Sequence, residues 1–154
     1  MAERRLTTAK ERRGDSLTGI YKHAIDAKGR LFIPARLREE LGEVFYVTLS
    51  MEKCLSLYSS ESWERFSEKT KAMPKAKQIK MRPLFAHADK CELDGQGRIL
   101  LSQIQRTFAG LSKNVTVVGV GECAEVWDSD TWVAVDEAET TPENIADVFM
   151  ELDF

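Results

Sequence analysis

The spacing of apolar and polar positions predicts a β-rich chain with short helices, in an order of elements that occurs twice. The first set is a strand over 19–25, a turn over 26–29, a strand over 30–33, a helix from Pro34 to Leu41, and a hairpin of strands 44–50 and 54–58. Ser60 is predicted to cap the helix that follows, and Pro74 to end it. Residues 74–85 are interpreted as a link to the second set.

The second set repeats this order and adds a final helix. It is a strand over 86–93, a turn over 94–97, a strand over 98–101, a helix over 102–109, a hairpin of strands 115–120 and 123–127, and a helix capped at Ser129. Thr141-Pro142 begins the last helix, in which positions 145, 148, 149 and 152 are apolar. This spacing indicates an amphipathic helix that docks on the body of the protein or on a neighbouring subunit.

The residues themselves repeat as well. DAKGR at 26–30 returns as DGQGR at 94–98, which is 68 positions later, while Cys54 returns as Cys123 and Trp63 as Trp132, both at an offset of 69. Two copies of one unit predict a pseudo-symmetric protein that presents the same basic loop twice. Such an arrangement suits a binder of a repetitive polymer better than an enzyme with one pocket.

Composition and charge narrow the class of protein. The 154 residues carry a net charge of −3, no long apolar run and an odd number of cysteines without a CxxC pair. These features predict a cytosolic globular protein with no export signal, disulfide framework or thiolate metal site. Charge is unevenly distributed, because residues 1–14 hold five basic and two acidic side chains whereas 134–154 hold seven acidic and none basic. A negative total therefore does not exclude nucleic acid as a partner.

The Asp-x-x-Gly-Arg sequence combines a turn with an anion-binding side chain. The aspartates and glycines at Asp26, Gly29, Asp94 and Gly97 are predicted to form the turns. The arginine that follows each turn offers a planar fork of donors for phosphate oxygens or for the guanine edge. The predicted DNA-binding residues are Lys28, Arg30, Arg36, Arg38, Arg98 and Arg106. The alternative is that each arginine only stabilises its turn, through an ion pair with the aspartate.

The runs DAKGRLFIPARLREELG, DGQGRILL and VVGVGECAEVW resemble the MraZ family over about residues 17–133. The resemblance implies a mixed α/β, β-rich fold of two tandem, pseudo-symmetric AbrB-like swapped-hairpin β-barrel units with short helices. It also implies a nucleoid-associated transcriptional regulator that forms a ring of about eight or more subunits. Such a regulator is expected to bind short G-rich direct repeats in double-stranded DNA upstream of the division and cell-wall gene cluster, which includes its own gene. The family's motif positions fall on Asp26, Lys28, Arg30, Asp94 and Arg98.

The second copy departs from the family pattern, since Leu101-Ser102 stands in place of Ile-Pro and the tip lysine is absent. The first copy is therefore expected to contribute more to binding. The predicted organisation is a disordered basic arm over 1–16, a first repeat with its linker helix over 17–85, a second repeat over 86–133 and an acidic amphipathic extension over 134–154.

The role of one region and one alternative function remain open. Residues 69–82 hold six basic and no acidic residues, which indicates a solvated face or a phosphate-tracking surface. No catalytic set and no cofactor is predicted. The alternative is a ring of the same fold that acts as a protein-interaction module, in which the loops are structural and the C-terminal helix binds a partner protein.

Overall fold

The computed structural model describes residues 13–153. Residues 1–12 of the predicted basic arm therefore lie outside the described residues. The elements are β1 (Leu17–Ala24), β2 (Arg30–Phe32), α1 (Ala35–Leu41), β3 (Val44–Leu49), β4 (Leu55–Ser59), α2 (Ser60–Lys71), α3 (Lys75–Lys80), α4 (Arg82–Ala86), β5 (Asp89–Glu92), β6 (Arg98–Leu100), α5 (Gln103–Ala109), β7 (Asn114–Gly121), β8 (Ala124–Asp128), α6 (Ser129–Glu139) and α7 (Pro142–Leu152). Within the described residues, no helix is long and apolar enough to cross a membrane.

The strands of the two halves interleave. A six-stranded sheet of the described chain runs in the order β1-β7-β8-β4-β3-β5, and β2 pairs with β6 in a separate two-stranded sheet. The first strand of each half therefore pairs with the other half, antiparallel in both cases: β1 with β7 and β5 with β3. The predicted mixed, β-rich fold of two tandem units is confirmed.

The core lies where the two halves meet. Leu31 and Ile99 face each other across the β2–β6 pair, and both are almost completely buried. Gln105 of α5 is also fully buried, although it is polar. Its Nε2 donates to the carbonyl of His87 at 3.0 Å and to Oδ2 of Asp89 at 2.8 Å, and its Oε1 accepts from the Ser102 amide. These bonds satisfy the buried amide and fasten α5 to the start of β5.

Both predicted serine caps are wrong by one residue. Ser59, not Ser60, caps α2: its Oγ accepts from the Ser62 amide at 3.0 Å, while Ser60 Oγ donates to the carbonyl of Val44. The residue before α6 is likewise Asp128 rather than Ser129. The last residue of each strand keeps an extended backbone, and in α2 this directs the hydroxyl of Ser59 toward the first free amides of the helix.

The link between the halves contains two short helices that the sequence analysis did not predict. Residues 75–86 form the short helices α3 and α4, and Pro74 and Pro83 stand at their starts, where a missing amide costs nothing. Because α4 continues to Ala86, β5 begins at Asp89 rather than at residue 86. Phe85 of α4 packs against Trp63 and Phe66 of α2, with ring centroids 5.5 and 5.8 Å apart.

Candidate nucleic-acid interface

The first Asp-x-x-Gly-Arg turn is held by the carboxylate of Asp26. Its Oδ1 accepts from the amides of Lys28 at 3.0 Å and Arg30 at 2.9 Å, and its Oδ2 accepts from Arg30 Nε at 2.7 Å. The Gly29 amide closes the turn onto the carbonyl of Asp26, with φ at +86°, in the left-handed region. One carboxylate thus fixes both the backbone of the turn and the direction of the arginine.

The second turn repeats these contacts. Asp94 Oδ1 accepts from the amides of Gln96 and Arg98, and Oδ2 accepts from Arg98 Nε at 2.9 Å. Gly97 has φ at +78°. The same five-residue sequence therefore gives the same local structure twice.

The pairing of β2 with β6 brings the two turns together. Arg30 lies opposite Leu100, and Phe32 lies opposite Arg98. Because side chains alternate along a strand, the buried Leu31 and Ile99 direct both arginines to the other face. Arg98 Nη1 lies 3.7 Å from Asp26 Oδ2, so the two motifs are in direct contact. We call residues 26–30 and 94–98 together the twin-turn surface.

The electrostatics of this surface are set by hydrogen bonds to the aspartates. The backbone amide of Arg30 is the main cause that lowers the pKa of Asp26, and its side chain adds to the effect. The backbone amide of Arg98 does the same to the pKa of Asp94. Both groups are therefore carboxylates at neutral pH. A guanidinium has five N–H donors, so an arginine held through Nε retains donors for a further anion.

Two of the predicted cations, Arg38 and Arg106, lie beneath the turns rather than at their tips. Arg106 of α5 donates from Nε to the carbonyl of Leu101 at 3.2 Å and packs on Gly29 of the first turn. Arg38 of α1 lies over the ring of Phe32, 5.2 Å from its centroid, and packs on Gly97 of the second turn. Each half thus supports the turn of the other half. The DNA contacts predicted for these two arginines stay predictions.

The other predicted cations are placed differently again. Lys28 is exposed at the tip of the first turn. Arg36 is exposed on α1 and lines a cavity with Thr18 and Glu39, and no residue of that cavity belongs to either turn. Sequence reasoning missed Lys113, an exposed residue whose carbonyl accepts from the Ile25 amide beside the first turn. No local signal marks it, because its position depends on the pairing of β1 with β7.

Comparison with known proteins assigns the chain to a family. The family model of the MraZ protein, described as antitoxin-like, matches residues 17–82 and again residues 84–147.

The chain belongs to the MraZ family.

Curated relatives named transcriptional regulator MraZ cover most of the chain. The protein of Heliobacterium modesticaldum is 42% identical over 139 residues, which are 88% of this chain and 97% of the relative. The protein of Carboxydothermus hydrogenoformans is 47% identical over 117 residues, 74% of this chain and 82% of the relative. The protein of Ligilactobacillus salivarius is 42% identical, with 88% and 97% covered.

The second MraZ match ends at Asp147, inside α7. Helix α6 and the first part of α7 therefore lie within the second copy, as α2 and α3 lie within the first. Much of the acidic segment after residue 133, which sequence reasoning set apart as an extension, falls within this match. The turns of the two MraZ copies differ in charge, since the second turn has Gln96 where the first has Lys28.

Proposed function

We propose that this protein is a sequence-specific, DNA-binding transcriptional regulator that reads DNA with the twin-turn surface. One observation carries the proposal: Arg30 and Arg98 leave adjacent strands on the same face, and each is held in place by its own aspartate. The names of the relatives support the same class of function.

The contact between aspartate and arginine gives the surface its recognition chemistry. A guanidinium held through Nε loses less side-chain entropy on binding than a mobile one. Its terminal nitrogens match the O6 and N7 atoms of guanine, a pair that contributes about 1–3 kcal/mol of discrimination. Lys28 at the first tip supplies a positive charge for the phosphate backbone. A carboxylate repels phosphate, so Asp26 and Asp94 act as supports rather than as DNA ligands.

Assembly would turn weak single contacts into specific binding. In this proposal a ring of about eight or more copies binds short G-rich direct repeats in DNA. These repeats lie upstream of the division and cell-wall gene cluster, which includes the regulator's own gene. Because several linked contacts form at once, the affinity for DNA rises by roughly 10²–10⁴-fold. Repression by blocking polymerase is the simplest result. The protein would then reside in the cytoplasm, on the nucleoid.

Fluorescence anisotropy tests the proposal. The protein is titrated onto DNA from upstream of its own gene and onto scrambled DNA, at two salt concentrations. Arg30→Ala is expected to weaken specific binding by roughly 5- to 150-fold, which corresponds to the loss of about 1–3 kcal/mol. Lys53→Ala, which removes an exposed charge in the loop between β3 and β4, is the control and is expected to bind as the wild type does.

The alternative function is a protein-interaction module with structural loops. It is favoured by the same 2.7 Å contact between Arg30 and Asp26, which by itself would staple the turn. Equal and weak binding of both DNAs, or an Arg30→Ala variant that matches Lys53→Ala in affinity, would support this alternative and refute the DNA-reading proposal.

A further inference from the structure

The two arginines of the twin-turn surface have apolar neighbours on the paired strands. Across the β2–β6 pair, Leu100 lies opposite Arg30, and Phe32 lies opposite Arg98. Leu100 and Phe32 occupy equivalent positions in the two copies, 68 residues apart. Each arginine therefore has an apolar side chain directly across from it, and the other half of the chain supplies that side chain.

The hydrogen bonds between the strands bring Arg30 and Leu100 close together. The Leu101 amide donates to the carbonyl of Gly29 at 2.9 Å, so these two residues form a hydrogen-bonded pair. Hydrogen-bonded and non-hydrogen-bonded pairs alternate along an antiparallel ladder, and the next pair, Arg30 with Leu100, is of the second kind. In such a pair the Cα atoms lie about 4.5 Å apart and the side chains are closest.

The two apolar side chains differ in what covers them. Phe32 is half-buried, because Arg38 lies over its ring and the ring of His23 packs against it, with centroids 5.1 Å apart. Leu100 is 63% exposed. Arg106, the counterpart of Arg38, donates from Nε to a backbone carbonyl instead. The surface therefore presents an open aliphatic side chain beside its first arginine and a covered ring beside its second.

We propose that Leu100 contacts the C5-methyl group of a thymine next to the guanine that Arg30 reads. Leu100 points to the same face as Arg30, since the intervening Ile99 is buried. Thymine methyl is the apolar group that base pairs present in the major groove. The Cα separation of about 4.5 Å is close to the rise of about 3.4 Å between bases, so the two side chains meet neighbouring bases.

The contact makes the two halves of the surface read different sequences. Arg30 with Leu100 specifies a guanine beside a thymine, whereas Arg98, whose partner Phe32 is covered by Arg38, specifies a guanine alone. A pseudo-symmetric surface thereby favours one orientation on its DNA. This inference rests on the proposed function and adds a second base to the sequence that the first arginine specifies.

Replacing thymine with deoxyuridine tests the contact, because it removes the C5-methyl group and keeps the base pair. DNA from upstream of the protein's own gene is prepared with thymine and with deoxyuridine, and each is titrated by fluorescence anisotropy. The wild type is expected to bind thymine DNA about 4-fold more tightly for each methyl group that is buried. Leu100→Ala is expected to bind the two DNAs with nearly equal affinity, since it lacks the side chain that the methyl group contacts.

Val120→Ala is the matched control, because it shortens another exposed aliphatic side chain. Val120 lies on β7, six residues from Asn114, which pairs with the end of β1 that leads into the first turn. The control is expected to keep the wild-type ratio of affinities for the two DNAs, which separates the methyl contact from any general effect of uracil on the duplex. Both variants are expected to unfold at the same urea concentration.

Equal binding of thymine and uracil DNA by the wild type would overturn the inference. So would a Leu100→Ala variant that keeps the ratio shown by Val120→Ala. In either case the proposed function stands if the wild type still prefers its own upstream DNA to scrambled DNA and Arg30→Ala loses that preference. A wild type without that preference would overturn both claims.

Discussion

Replacing Gly29 with alanine is expected to destabilise the protein much more than the same change at Gly95. Gly29 has φ at +86°, and a Cβ there would lie 2.9 Å from the carbonyl oxygen of Leu101. That oxygen belongs to the backbone and already accepts from Arg106, and the Leu101 amide donates to the carbonyl of Gly29. The backbone therefore cannot move aside without breaking the contact between the two halves.

The magnitude follows from two costs. A left-handed backbone costs a residue with a Cβ roughly 1–2 kcal/mol, and forcing an atom into a packed site costs about 1–3 kcal/mol. Gly29→Ala should therefore lose roughly 3 kcal/mol, which for a chain of this size lowers Tm by about 6–12 °C. At Gly97 the nearest atom is Nη1 of the Arg38 side chain, which can move, so Gly97→Ala should lose only about 1–2 kcal/mol.

Gly95 supplies the matched control from the same loop as Gly97. It is exposed, and a Cβ there would meet no atom within 4 Å. Urea unfolding of all three variants at one protein concentration gives the free energies of unfolding, and equal m-values show that the unfolded reference is unchanged. If Gly29→Ala unfolds at the same urea concentration as Gly95→Ala, the reasoning about the Leu101 carbonyl is refuted.

Three further outcomes are expected. Arg38→Ala should speed amide hydrogen exchange in the second turn while leaving the first turn protected, and equal exchange in both turns would contradict the proposed support. Asp26→Asn should be less stable than the wild type at pH 7, because folding lowers the pKa of Asp26 below its usual 3.8. This difference should shrink as pH falls below 3.8 and vanish once pH lies below the folded-state pKa. A constant difference from pH 7 to pH 2 would contradict the account. Burial raises the pKa of Cys54 and Cys91 to about 12 and that of Cys123 to about 11. A thiol reagent at pH 8 should therefore label the native protein far more slowly than the protein unfolded in urea. Equal labelling rates would show that the thiols are accessible in the native protein.

Local chemistry made much of the molecule predictable. The two turns could be inferred because aspartate, glycine and arginine at fixed spacing each have a conformational reason to be there. The order of strands and helices followed from apolar spacing, and the doubled motif indicated two tandem units. The α3 and α4 helices also had a signal, in Pro74 and Pro83, that the interpretation as a simple link left unused.

What the sequence did not reveal depends on contacts between distant residues. Arg38 and Arg106 resemble free surface cations in the sequence, and only the crossing of the two halves places each beneath the other half's turn. The choice of Ser59 over Ser60 as a cap depends on where β4 ends, which the adjacent serines do not reveal. Lys113 lies beside the first turn, where its carbonyl accepts from the Ile25 amide, only because β7 pairs with β1.

The interleaving of the strands also sets the timing of folding during synthesis. Leu17 pairs with Gly121, so the first strand has no partner until more than 100 further residues have been made. At roughly 5–20 residues per second, that wait lasts on the order of 5–20 s. Throughout it β1 is an unpaired edge, open to chaperones or to another unfinished chain. The first copy is thus the first part synthesised and among the last to be completed.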